Sequence, residues 1–143
     1  MAKVNVSRTI TASQAALWDI VASPARYPDW LTIHQDWRGN VPATVRQGST
    51  FTEMCTVMGM TNKIDWTVTE YVAPELIKIS GVGLAGAKIS FTMGVAACAE
   101  SVMTVSIDAE FEGQMVVGAI GKAIARSAQQ EVQTSLENLA ALV

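Results

Sequence analysis

The chain predicts an α+β fold in which a seven-stranded, curved antiparallel sheet wraps around one long C-terminal helix, with two short helices after the first strand. Three observations predict it. Several segments alternate apolar and polar residues with a period of two, the mark of strands with one covered and one wet face. The connections between them run to about two to six residues, which favours antiparallel hairpins over parallel crossover units. The last thirty or so residues, about 114–143, carry a helical pattern roughly 43 Å long at ~1.5 Å per residue, enough to lie across a small domain.

Val4, Val6, Arg8 and Ile10 alternate with Lys3, Asn5, Ser7 and Thr9, a first strand over 3–11. Ser13 can cap a helix carrying Ala16, Leu17, Ile20 and Val21, which Pro24 ends; a second short helix covers 25–31. Strands then run over 35–38, 49–58, 63–72, 75–81, 87–96 and 101–112, separated by Gly39-Asn40, Gln47-Gly48, Gly59, Ala73-Pro74, Gly81 to Gly86 and Ala99-Glu100. Ile64, Trp66 and Val68, then Ile89, Phe91, Met93 and Val95, then Met103, Val105, Ile107, Ala109 and Phe111 mark the covered face. The opposite phase carries Asp65, Asp108 and Glu110, which should meet solvent. The strand over 49–58 fits two phases, one placing Phe51, Glu53, Cys55 and Val57 inward and the other Met54 and Met58, and the sequence leaves both open. In the final helix, 115–124 is apolar nearly all round, while Ala128, Val132, Leu136 and Leu139 form one stripe among polar residues. The expectation is a first half enclosed by the fold and a second half partly exposed, with Lys122 and Arg126 on the outer face.

Composition narrows the function. A length of 143 residues, half of them apolar, fits one domain spanning 1–143 with a substantial core. The net charge is -3, and ten Lys and Arg are scattered without a run, so a nucleic-acid interface lacks its electrostatic footing. No stretch has the length of a signal or membrane segment, so a cytoplasmic protein without membrane insertion is expected. Cys55 and Cys98 read as reduced core thiols. His34 is the single histidine, and with no cluster of metal-ligating residues neither a metal nor a cofactor is expected. Gly81-Val82-Gly83-Leu84-Ala85-Gly86 has the spacing of a dinucleotide loop, but the alternating residues after it predict a strand where that motif needs a helix.

Taken together, the order of elements resembles the helix-grip fold of the START-like or SRPBCC superfamily, in particular its bacterial polyketide cyclase/dehydrase-like branch. The resemblance rests on Ala16-Leu17-Trp18-Asp19-Ile20-Val21 followed by Pro24-Ala25-Arg26-Tyr27-Pro28-Asp29-Trp30. It continues with Gln47-Gly48-Ser49-Thr50-Phe51 and Asp65-Trp66-Thr67-Val68-Thr69-Glu70-Tyr71-Val72-Ala73-Pro74. It covers the whole chain and implies a cavity between sheet and helix that holds a lipid- or polyketide-like molecule. Trp30, His34, Trp66, Phe91, Met93, Met103, Phe111, Met115 and Ile120 are the expected ligand-binding residues, entered past Trp30, His34 and the Gly81 to Gly86 hairpin. Internal methionines suit such a cavity because they adapt to varied apolar shapes. The enzymatic alternative is a cyclase/dehydratase-like lyase using His34, Glu53 or Tyr71 to move protons. A third is an interaction protein, such as the toxin of a toxin-antitoxin pair. The expected partner is a small apolar ligand, and the chain a monomer or homodimer.

Overall fold

The computed structural model describes residues 2–83, 86–114 and 116–143. The strands are β1 (Ala2–Thr11), β2 (His34–Arg38), β3 (Thr50–Val57), β4 (Met60–Val72), β5 (Leu76–Val82), β6 (Lys88–Ala99) and β7 (Val102–Glu112). The helices are α1 (Gln14–Val21), the single turn α2 (Tyr27–Trp30) and α3 (Gly118–Ala141). They build one antiparallel sheet in the order β1-β7-β6-β5-β4-β3-β2, curled against α3. This is the helix-grip arrangement. β1 pairs with β7 from Ala2 opposite Phe111 to Thr11 opposite Val102, so the first strand adds to the last and β1 and β2 form the two edges of the sheet.

Local chemistry explains the boundaries. The Ser13 side chain accepts the Ala16 N–H at 3.1 Å and starts α1, and Pro24 opens a 3-10 turn that passes directly into α2. Met58 and Gly59 both adopt positive φ, 55° and 74°, so Val57 and Met60 pair across a two-residue turn that matches the twist of its strands. This turn extends β4 three residues further back than the alternation predicts, and leaves Met58 and Met60 exposed at its tip. Gly81 has a packing reason: a Cβ there would lie 2.6 Å from Ile64 Cγ2 and 2.8 Å from Trp66 Cε3.

The covered face holds the residues predicted by alternation, with Ile64, Trp66, Val68, Phe91, Met93, Val95, Met103, Val105, Ile107, Ala109 and Phe111 all buried. Asp65 and Asp108 face solvent on the other phase. The final helix departs from expectation in two ways. It begins at Gly118 rather than near 114: Val117 is extended, with φ -137° and ψ 157°, and Gly118 enters with φ 57°. Its apolar first turns are also the exposed ones: Val117 is 59% and Ile120 54% exposed. The buried stripe runs through Gly121, Ala128, Val132, Ser135, Leu136 and Leu139, with Ile124 and Ala125 partly buried beside it, so Val117 and Ile120 are left without a surface to cover them. Lys122 and Arg126 point outward, as expected. α3 is fixed to the rest by Thr32, whose N–H donates to Ser135 Oγ at 3.0 Å and whose hydroxyl donates to the Glu131 carbonyl at 3.0 Å, and by Asn138 donating to the Trp30 carbonyl at 3.3 Å. No helix among the described residues is long and apolar enough to cross a membrane.

Candidate functional site

Among the described residues, the apolar spaces between the sheet and α3 include an inner and an outer one. The inner one, about 10 Å³, holds no more than one water and is enclosed by Phe91, Met93, Ile107 and Phe111 of the sheet, Ala128, Val132 and Ser135 of α3, and Leu31, Ile33 and Val57. The outer one, about 120 Å³, opens at the end of the groove between the β3–β4 turn and the start of α3. Cys55, Ile64, Ile89, Phe111, Val116 and Ile124 are among its walls; Asn62, Lys88 and Glu112 are its polar fringe. Val57 and Phe111 border both spaces and act as the partition between them. Met58 and Met60, 46% and 58% exposed, form one lip. Ile120, one helical turn before Ile124, is exposed and lines neither space.

Beneath Cys55 lies a buried polar cluster. The inward phase of β3 is the one carrying Phe51, Glu53 and Cys55, which puts the fully buried Glu53 carboxylate in the interior. It accepts the Trp66 indole N–H at 2.9 Å and the Cys55 thiol at 3.0 Å on one oxygen, and meets His34 Nδ1 at 2.5 Å on the other. Burying a carboxylate is costly unless donors compensate, and here strands on both sides supply them: β4 brings Trp66 and β2 brings His34. Its negative field acts on its neighbours. Burial first, then the Glu53 charge and the hydrogen bond to it, push the Cys55 thiol well above its ordinary range, so Cys55 stays protonated and is no nucleophile at neutral pH. Burial, then Glu53 and then Cys55, likewise push the Tyr27 hydroxyl up. The Tyr27 hydroxyl and the Trp30 indole N–H are buried without a protein hydrogen-bond partner.

The sequence-predicted site residues separate into three groups. Phe91, Met93 and Phe111 line the space beneath α3. Trp30, Trp66, His34 and Met103 are packed into the interior and line neither space. Trp30 stands edge-on to Tyr27 with ring centres 6.1 Å apart, Trp66 tilts over Phe91 at 5.4 Å, and His34, its side chain 6% exposed, packs on Trp37 at 4.6 Å. Trp30 and His34 are closed in by packing, and the outer space opens instead beside Met58 and Met60. Ile120 is exposed on the outer side of α3 and lines neither space. Met115 lies outside the described residues, as do Leu84 and Ala85 of the glycine loop. The glycine loop leads into β6, the strand predicted there, and Ala87, Lys88 and Ile89 just beyond it line the outer pocket. Of the proton-transfer candidates, Tyr71 packs on Trp18 of α1 with ring centres 5.7 Å apart, away from both spaces, while Glu53 and His34 sit behind Cys55. Cys98 is exposed rather than in the core, because it falls near the frayed end of β6 beside a register shift. Among the described residues no three His, Cys, Asp or Glu side chains converge as metal ligands.

The expected ligand-binding residues left out Cys55, Val57, Ile64 and Ile124, while Met58 and Met60 figured only among the internal methionines and stand instead at the exposed mouth. One signal was available: two methionines flanking a turn glycine, Met58-Gly59-Met60, place large apolar side chains where a hairpin tip usually carries polar ones.

The family model described as polyketide cyclase / dehydrase and lipid transport matches residues 1–143. The chain belongs to that family. Among its relatives, Toxin Rv0910 of Mycobacterium tuberculosis is 32% identical over 138 residues, covering 96% of this chain and 95% of that one. Uncharacterized protein Rv1546 of the same organism is 30% identical over 142 residues, covering 99% of each. A START superfamily protein from Mycobacterium smegmatis superposes with a TM-score of 0.76 at 16% identity over 99% of each chain. Protein CV1439 from Chromobacterium violaceum gives 0.73 at 17% identity, covering 100% of this chain and 98% of that one. The last two show the shared fold, and family membership is consistent with binding a hydrophobic molecule between sheet and helix.

Proposed function

We propose that the protein binds a small apolar molecule in the outer pocket at the open end of the groove between the sheet and α3. The observation that carries this reading is a pocket of about 120 Å³ with almost wholly apolar walls, open to solvent past exposed Met58 and Met60. A space of that size takes about one six-membered ring, since an engineered apolar cavity near 150 Å³ holds benzene. Longer lipid- or polyketide-like molecules enter the inner space only if Val57 and Phe111 turn aside. Affinity comes from burial at about 25 cal/mol per Å² of apolar surface, with Asn62, Lys88 or Glu112 orienting the polar end.

Native mass spectrometry of protein purified gently from its own source tests the reading: a discrete excess mass lost on unfolding supports it. Ile124→Trp, which fills the pocket from α3, should abolish that excess while leaving the circular dichroism spectrum unchanged. Retention of the ligand by the filled variant places binding elsewhere and refutes the proposal.

A cyclase or dehydratase activity finds less support, because Glu53 and His34 stand behind Cys55 and Tyr71 packs on α1. A protein-interaction role is favoured by a different observation, the relative at 32% identity named a toxin, and the exposed apolar lip offers it a surface. Controlled expression with growth as readout separates the two: arrest relieved by substitution of Met58 and Met60 with Ser supports interaction through the lip, and undisturbed growth counts against it.

A further inference from the structure

The floor of the outer pocket is chemically distinct from its walls. Cys55 lines the pocket and at the same time donates its thiol proton to Glu53 Oε1 at 3.0 Å, so one side chain separates the apolar space from a wholly buried carboxylate. The same oxygen also accepts from Trp66 at 2.9 Å, and the other is held by His34 at 2.5 Å, so the carboxylate is fixed in place by two neighbouring strands. A bound molecule that reaches the floor therefore meets a sulfur whose own proton is committed inward, leaving its lone pairs as the acceptor toward the pocket, with a fixed negative charge behind it.

We infer that the pocket selects neutral hydroxylated rings, phenols and comparable small cyclic alcohols, whose O–H donates toward the Cys55–Glu53 pair, and rejects molecules carrying a carboxylate at that end. The inference rests on the apolar-ligand reading above and narrows it. An O–H directed at the floor finds an acceptor in an otherwise dry cavity, where an unpaired hydroxyl would be costly. An anion directed at the same floor meets the Glu53 field at low dielectric and no donor, since the thiol, the indole and the imidazole all point at Glu53. Lys88 and Asn62 sit at the fringe instead, so an acidic group can be held only at the mouth, with the ring inverted.

Three probes of nearly equal size decide it: toluene, phenol and benzoate, titrated into the intact protein with amide chemical shifts as readout. The expected order is phenol tighter than toluene, by about threefold if the hydrogen bond to the weakly accepting thiol sulfur is formed, and benzoate weakest. Toluene tighter than phenol, the preference of a floor without an acceptor, overturns the inference and leaves the apolar reading standing; so does benzoate equal to phenol. Failure of all three to bind overturns the apolar reading itself. In Cys55→Ala the ligand O–H reaches Glu53 directly, so the preference for phenol over toluene should widen. In Glu53→Gln the discrimination against benzoate should shrink, and persistence of both preferences unchanged in both variants refutes the assignment of the floor.

Discussion

Replacing Glu53 with Ala removes the acceptor shared by three buried or nearly buried donors, His34, Cys55 and Trp66. The Trp66 indole N–H is left unpaired at a residue 1% exposed, at a cost of about 1–3 kcal/mol. His34 loses its Nδ1 partner and can retreat to the tautomer that carries its proton on Nε2, which softens its share. The thiol of Cys55 is a weak donor and adds little. The cavity left by the side chain adds about 2 kcal/mol, so with the unpaired indole the whole change should cost about 3–5 kcal/mol. At about 3 °C per kcal/mol for a chain of this length, the melting temperature should fall by roughly 9–15 °C. Glu53→Gln is the control. Its amide oxygen can keep both the Trp66 and Cys55 bonds while its NH2 donates to His34 Nδ1 in the alternative tautomer, so its cost should be only about 1 kcal/mol, the difference between charged and neutral acceptors. Guanidinium unfolding monitored by far-ultraviolet circular dichroism measures both. An Ala variant within about 1 kcal/mol of wild type, or a Gln variant as costly as Ala, would mean that the carboxylate does not hold β2, β3 and β4 together as described.

The same geometry sets other outcomes. Tyr27→Phe removes a buried hydroxyl without a protein partner and should leave stability unchanged or raise it by about 1 kcal/mol; a loss of about 2 kcal/mol in thermal unfolding would show that the hydroxyl is engaged. Gly81→Ala drives a Cβ to within 2.6 Å of Ile64 and 2.8 Å of Trp66 and should cost about 1–3 kcal/mol, read as a lower unfolding midpoint at constant slope. Because the Cys55 thiol and Tyr27 hydroxyl are both raised in the folded state, the unfolded chain releases these protons first, so their contribution is complete below the ordinary values of 9.0 and 10.0 and declines as pH rises beyond them. Stability measured from about pH 8 to 11 should fall at up to about 1.4 kcal/mol per pH unit for each group. The Cys55→Ala, Tyr27→Phe double variant should flatten that decline, and an equally steep decline in it would assign the titration to other groups.

Much of the architecture was legible because it depends on local periodicity. Alternation in β4, β6 and β7 named the inward residues, Ser13 and Pro24 bounded α1, and short connections implied antiparallel pairing. The end of β3 and the start of β4 were misplaced because a non-glycine residue, Met58, takes a left-handed conformation in the turn, which no propensity argument favours. The site was less legible. Trp30 and Trp66 looked like cavity walls because large aromatics serve equally as core and as lining, and only the neighbours brought in by the fold distinguish the two roles.

The sequence by itself determined the fold class, since a period of two repeated over several strands and a long helical stripe at the end of the chain leave few ways to cover the apolar faces. Two matters were decided only in three dimensions. The phase of β3 was one: both of its faces mix polar with large residues, and Glu53 turns inward because β2 and β4 place His34 and Trp66 where a carboxylate can be satisfied. The other was which half of α3 is covered. Apolarity along a helix says what can be buried, but burial needs an opposing surface; Val132, Leu136 and Leu139 have one, and Val117 and Ile120 do not.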